Sequence, residues 1–275
     1  MIQFELTGFM VDVIKRNNVR VIGEGTRTMV LAHGFGCDQN VWRYLINAFK
    51  TRFRLVLFDY VGAGQSDLDA YNPVRYNSLD GYAKDIIEIL DALNIKATVF
   101  VGHSVSSMIG LRASIMRPEL FESLIFVTPS PCYINEDDYT GGISKEDLEA
   151  LLDMMDSNYL GWSGTMAPLI MGNPEKPELS EELNSNFCAT DPEIAREFAR
   201  VTFLSDNRKD LKNVVVPSLT LQCVEDILAP VAVGHYIEKN TPGNTLYVMN
   251  ASGHCPHLSA PEETVEAISA YLGIN

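Results

Sequence analysis

The 275-residue chain has no C-x-x-C pair. Its five cysteines, at 37, 132, 188, 223 and 255, are odd in number and far apart, which excludes a disulfide framework or a zinc ribbon and points to free thiols in a reducing compartment. No apolar run approaches the ~18 residues a membrane-spanning helix needs. Met1–Arg20 carries Glu5 and Asp12 where a secretory leader would be uninterrupted and apolar, so a cytoplasmic protein is expected. Positive charge is scarce: 21 Lys and Arg stand against 36 Asp and Glu, a formal net charge of −15. Such a field repels phosphate backbones and anionic lipid, which argues against nucleic-acid or membrane partners. No local basic cluster offsets it, so highly anionic substrates are disfavoured too. Internal repeats and low-complexity segments are absent as well.

What is present is ordinary globular composition, 46% hydrophobic and 21% charged, at a length that suits one large α/β domain or a core with an inserted subdomain. Six short β-rich runs recur: Thr28–His33, Arg54–Asp59, Thr98–Gly102, Leu124–Thr128, Ser218–Cys223 and Thr245–Met249. Several are apolar nearly throughout, as strands covered on both faces must be. Helical patterns lie between them, at Asp38–Phe49, Leu79–Leu93, Val105–Arg117, Val231–Lys239 and Glu262–Leu272. This alternation predicts a mostly parallel, doubly wound sheet. It breaks between Tyr133 and Phe203, where no good strand is visible. Ser144-Lys145-Glu146-Asp147 resembles a capping box opening a helix through Asn158, and Asp191-Pro192 pairs an N-cap with a first-turn proline ahead of Glu193–Leu204. Tyr159–Met171 and Leu179–Phe187 are weaker helical candidates. The division expected is a core of 1–132 and 205–275 with a helical insertion at 133–204.

The strongest chemical signal is Gly102-His103-Ser104-Val105-Ser106, directly after an apolar strand and directly before a helix. A serine there sits on a strained strand-to-helix turn that exposes its hydroxyl. Ser106 stands where the G-x-S-x-G pattern has its last glycine, a mild departure that leaves less room behind the turn. Serine needs a base to become a nucleophile. In one recurrent chain order of this chemistry the acid and then the histidine follow the serine late in the sequence. Of the five histidines, His254 in Ser252-Gly253-His254 fits, with His257 as the rival. The orienting acid should follow Ser218–Cys223, where Asp226 is preferred over its neighbour Glu225. Backbone N–H groups of Phe35, in His33-Gly34-Phe35-Gly36, and of Val105 are the expected oxyanion donors. Gly62-Ala63-Gly64 lacks dinucleotide-binding spacing and reads as a turn, and the His254-Cys255-Pro256-His257 cluster has poor spacing for a metal. No cofactor or metal is called for.

These residues resemble a known family. From about Asn18 onward the chain is similar to the small α/β-hydrolases that include the bacterial stress-response regulator RsbQ and the plant karrikin and strigolactone receptors. The marks are His33-Gly34-Phe35-Gly36-Cys37-Asp38-Gln39, Phe58-Asp59-Tyr60-Val61-Gly62, Gly102-His103-Ser104-Val105 and Asn158-Tyr159-x-Gly161-Trp162, with Pro129-Ser130-Pro131-Cys132-Tyr133 and Gly253-His254-Cys255-Pro256-His257. The Pro-Ser-Pro-Cys-Tyr and Cys-Pro-His segments bring it nearer the bacterial branch. The resemblance implies an α/β-hydrolase fold with an inserted four-helix lid over an apolar pocket ending at Ser104, for which Phe35, Trp162, Met166, Phe198 and Phe203 are lining candidates. It also implies slow hydrolysis of a small hydrophobic ester or lactone coupled to a signalling partner, in the bacterial branch a PAS-domain phosphatase acting on a stress sigma-factor pathway. The alternatives are a metabolic carboxylesterase or lactonase without a partner, and a non-catalytic ligand receptor; fold alone does not choose among them.

Overall fold

The structure is a computed structural model and describes residues 12–274. The stretch read for a leader and the start of the 1–132 core segment therefore lie largely outside the described residues. Seven strands are present among them: β1 (Arg20–Ile22), β2 (Arg27–Ala32), β3 (Phe53–Leu57), β4 (Thr98–His103), β5 (Phe121–Val127), β6 (Ser218–Glu225) and β7 (Asn244–Ser252). They form one sheet in the order β1-β3-β2-β4-β5-β6-β7. Only β1 runs antiparallel, against β3; the other pairings are parallel. From β2 the chain moves outward to β3 and then returns past β2 to β4. That reversal makes the ends of β2 and β4 a topological switch point, where open α/β sheets place their ligands. Ala32 pairs with Gly102, so the segments leaving these two strands emerge side by side.

The helices follow from the need to cover both faces: α1 (Val13–Arg16), α2 (Arg43–Phe49), α3 (Leu79–Ala92), α4 (Val105–Met116), α5 (Lys145–Ser157), α6 (Tyr159–Met171), α7 (Pro177–Ala189), α8 (Pro192–Phe203), α9 (Val231–Asn240), α10 (Pro256–Ser259) and α11 (Pro261–Leu272). Successive strand residues point to opposite faces. Val30, Ala32, Val56, Phe100 and Phe126 pack with residues of α3, α4 and α9. Met29, Leu31, Leu55, Val101 and Ile125 pack with α2 and α11 and with the inner residues of α5–α8. The first two turns of α4 are buried on every side, as a helix packed into the centre of the fold must be.

Four helices, α5–α8, stand between β5 and β6. Ser144 Oγ accepts the Asp147 N–H at 3.0 Å to start α5. Asp191 Oδ1 accepts the N–H groups of Glu193 and Ile194 at 2.9 and 3.1 Å to start α8, with Pro192 at its first position. Three local features depart from the sequence expectation. Asp38–Phe49 is divided, because Asp38 caps a 3-10 turn at Gln39–Trp42 before α2 begins. The stretch ahead of α5 holds two isolated bridges, Ile134 with Ile143 and Glu136 with Tyr139. β1, at three residues, is too short to show an alternating pattern. Among the described residues no helix is long and apolar enough to cross a membrane.

Candidate active site

β4 ends at His103 and α4 begins at Val105, leaving Ser104 as the hinge with φ 56° and ψ −123°. A side-chain-bearing residue in that conformation costs on the order of 1–3 kcal/mol. The surroundings hold it there: the Ser104 N–H donates to the Val127 carbonyl at 2.8 Å, and the Ser104 carbonyl accepts from the Ser107 N–H at 2.9 Å. Ser106 has a specific use. Its hydroxyl donates to the His33 carbonyl and accepts from the Tyr60 hydroxyl at 2.8 Å. The side chain that replaces a glycine therefore ties the start of α4 to the segment leaving β2.

His254 arrives from the end of β7. Gly253 has φ +85°, and a Cβ there would collide with the Met171 carbonyl, so this turn requires glycine. The His254 backbone is then clamped from both sides. Its N–H donates to the Ile170 carbonyl at 2.9 Å, while its carbonyl accepts from His103 Nε2–H at 2.8 Å and Thr128 Oγ1 at 2.9 Å. The imidazole lies between two partners: Nε2 is 2.8 Å from Ser104 Oγ and Nδ1 is 2.7 Å from Asp226 Oδ2. The Asp226 carboxylate is fully buried. Its Oδ1 accepts the N–H groups of Leu228 and Ala229 at 2.9 and 3.2 Å, which leaves Oδ2 to accept from Nδ1–H. That fixes the tautomer and presents the Nε2 lone pair to the Ser104 hydroxyl.

The rivals are placed elsewhere. Glu225 is exposed, and its Oε2 accepts from the Ser252 hydroxyl at 3.3 Å. The His257 ring packs against Trp42 and His103, with centroids at 4.7 and 4.4 Å. It is fully buried and neither nitrogen has a hydrogen-bond partner; burial lowers its pKa to about 3 and so keeps the ring neutral. Burial likewise lowers the pKa of His33 and, further, that of His103. The Tyr60 N–H donates to His33 Nε2 at 3.2 Å, so His33 Nδ1–H donates to the Gly34 carbonyl at 2.8 Å and the ring serves the turn after β2.

Phe35, on the loop after β2, and Val105, the first residue of α4, flank Ser104. Val105 opens α4, so its N–H lacks a helical acceptor four residues back. Gly36 has φ +67° and would drive a Cβ into the Phe187 ring, so the loop carrying Phe35 lies directly under α7. Above Ser104 is a small, largely enclosed cavity of about 20 Å³. Phe35 and Phe203 line it, with Phe187, Ile170, Leu183 and Leu228.

Three lining candidates stand off the wall. Trp162 is fully buried behind Phe35 and Phe187, at centroid distances of 6.2 and 5.1 Å. Phe198 stacks on Tyr82 at 4.4 Å toward the α3 side of the sheet. Met166 is half-buried against the core. For Trp162 and Phe198 the helical face turns the ring one layer away from the cavity, which the residue types alone do not reveal. Conversely, Tyr133 enters the sequence reading only as part of a motif. Its buried hydroxyl lies 3.5 Å from Ser104 Oγ, and burial pushes its pKa up to about 12. Its place just past β5, next to β4 in the sheet, is the signal that could have found it.

Residues 29–267 match the alpha/beta hydrolase family. The chain belongs to that family. It is 42% identical over 255 residues to the karrikin insensitive 2 receptor IA of Petunia hybrida, covering 92% of this chain and 93% of the relative. It is 40% identical over 262 residues to a probable esterase of Oryza sativa subsp. japonica, covering 94% and 97%. The solved structure of the hydrolase olei00960 from Oleispira antarctica superposes with a TM-score of 0.93 at 43% identity, covering 96% of this chain and 97% of that one. This family member is a hydrolase with a seven-stranded, mostly parallel sheet and flanking helices.

Proposed function

We propose that the protein is a serine hydrolase that cleaves small hydrophobic esters or lactones through an acyl-enzyme, with Ser104 as nucleophile, His254 as base and Asp226 as its orienting acid. The observation that carries this is the unbroken hydrogen-bonded line from Asp226 Oδ2 to His254 at 2.7 Å and from His254 to Ser104 Oγ at 2.8 Å. His254 Nε2 takes the Ser104 proton as Oγ attacks the carbonyl carbon. The N–H groups of Phe35 and Val105 receive the negative charge that develops on the carbonyl oxygen. Asp226 stabilises the imidazolium, which then protonates the departing alkoxide. Water, deprotonated by the same imidazole, releases the acid and restores Ser104. Helices α5–α8 act as a lid on this chemistry, a reading supported by the cavity wall: Ile170 of α6, Leu183 and Phe187 of α7 and Phe203 of α8 close over Ser104. Relatives named as esterases at about 40% identity support the same bond type.

The test is hydrolysis of p-nitrophenyl butyrate by the protein and by Ser104→Ala. Turnover by the first and none above background by the second is expected; equal rates would refute the assignment.

A second reading adds signalling to the hydrolysis. The residues Pro129-Ser130-Pro131-Cys132-Tyr133 and Cys255-Pro256-His257 favour the bacterial branch of the family, in which a PAS-domain phosphatase is the partner. Five free cysteines support a cytoplasmic setting. Co-purification with such a phosphatase only when ligand is present would support this reading, and binding indifferent to ligand and to Ser104 would refute it.

A further inference from the structure

Thr202, in the last turn of α8, is 1% exposed and forms part of the cavity wall over Ser104. Its hydroxyl has no hydrogen-bond partner among the described residues. A helical threonine ordinarily satisfies its hydroxyl on the carbonyl four residues back. Thr165 does so on Gly161 at 2.9 Å, and Thr264 on Ala260 at 3.0 Å. Thr202 does not. Of the other side-chain oxygen and nitrogen groups on the wall, Ser104 and His254 bond each other, and His103 Nε2 bonds the His254 carbonyl, while His103 Nδ1, also without a partner, is pressed against Gly34. What remains of the wall is hydrocarbon, aromatic ring and thiol. An unpaired hydroxyl in such surroundings destabilises the fold, and a ligand oxygen that pairs it recovers the loss.

We propose that Thr202 is a specificity-determining residue whose hydroxyl bonds an oxygen carried by the acyl group, apart from the scissile carbonyl. Phe203, next to Thr202, belongs to the aromatic group packed around Phe35 (ring centroids 6.0 Å apart), and Thr202, Phe203 and Phe35 share the wall of the cavity over Ser104. The preferred substrates are then small oxygenated esters or lactones bearing an ether, ketone or hydroxyl oxygen, rather than plain alkanoyl esters. This rests on the reading of Ser104 as the nucleophile.

The test uses matched p-nitrophenyl esters of equal length, 3-methoxypropanoate against pentanoate and 4-methoxybutyrate against hexanoate. Each is measured as kcat/KM on the wild-type protein, on Thr202→Val, which removes the hydroxyl at nearly constant volume, and on Thr202→Ser, which keeps it. Thr202→Val is expected to lower kcat/KM for at least one ether ester by about 3- to 10-fold, the worth of one hydrogen bond. The alkyl partner should be unchanged or faster, and Thr202→Ser should retain the ether preference. In the ligand-free state Thr202→Val should also melt at a higher temperature. Ether-to-alkyl ratios that are equal in all three proteins would overturn the role of Thr202 while leaving hydrolysis at Ser104 in place, as would a lower melting temperature of Thr202→Val. Absence of hydrolysis of every ester by folded wild-type protein would overturn the Ser104 reading, and this proposal with it.

Discussion

The loops after β4, β6 and β7 and the helices α6–α8 meet across one cavity, yet they are held by different forces. On the core side, hydrogen bonds fix each group individually. The His254 backbone is bonded through its N–H and its carbonyl, Asp226 through two backbone N–H groups, and Ser104 is held in a strained conformation by bonds to Val127 and Ser107. On the helical side the contacts are rings and aliphatic chains. Phe35 sits among Trp162, Phe187, Phe198 and Phe203 at centroid distances of 5.7–6.2 Å. Directional bonds tolerate little displacement, whereas apolar packing can rearrange among similar shapes. The core side is suited to reaction geometry and the helical side to substrate choice.

Substitutions can separate the two. Ser104→Ala should give the largest effect, a loss of at least ~10³-fold in kcat/KM with the fold retained, since it removes the proposed nucleophile; circular dichroism and ester turnover check both halves. Asp226→Asn should follow, lowering kcat by about 10³- to 10⁴-fold through the wrong imidazole tautomer with little change in KM. A loss confined to KM would place Asp226 outside the relay.

A change in the helical cover should act on selectivity instead. Trp162→Phe, one layer behind the cavity, should move the preferred acyl length of p-nitrophenyl alkanoates upward and alter the rate on the best substrate only a few-fold. An unchanged length profile would mean that packing behind Phe35 does not shape the cavity.

The smallest effect concerns pH. His257 is neutral in the fold with its pKa lowered to about 3 by burial, whereas in the unfolded chain it titrates near the ordinary value of 6.5. Between those values the unfolded chain binds a proton that the native state does not. This contribution is fully present above about pH 6.5 and falls as the pH drops toward 3, by at most about 1.4 kcal/mol per pH unit for this group. His257→Phe should flatten the acid limb of stability in urea titrations while leaving ester hydrolysis nearly intact. An unaltered slope would show that other groups carry the acid sensitivity.

The same contrast explains what is legible in the sequence. Six of the seven strands and the long helices are readable because near-continuous apolar runs and caps such as Ser144 and Asp191-Pro192 act locally. The positions that the structure brings together at Ser104 are readable because a strand-to-helix turn, a post-β6 acid and a post-β7 histidine each depend on their own neighbours. Cavity lining depends on which way a helix is rotated when it packs. Trp162 and Phe198 belong to the right helices and lie behind the wall, Met166 is half-buried away from the lining, and Phe187, Leu183 and Tyr133 reach the site unassigned. Ser106 shows a third kind of gap. The sequence displays it as a departure from a pattern, and only the bonds to His33 and Tyr60 show what the hydroxyl does.

The most direct measurement is intact-protein and peptide mass after exposure to a fluorophosphonate, which reacts fastest with a serine whose proton a neighbouring base removes. One phosphonyl group on the peptide containing Ser104 is expected, formed far more slowly in Asp226→Asn and not at all in Ser104→Ala. Folded wild-type protein that stays unlabelled, or that is labelled at another residue, would contradict the account.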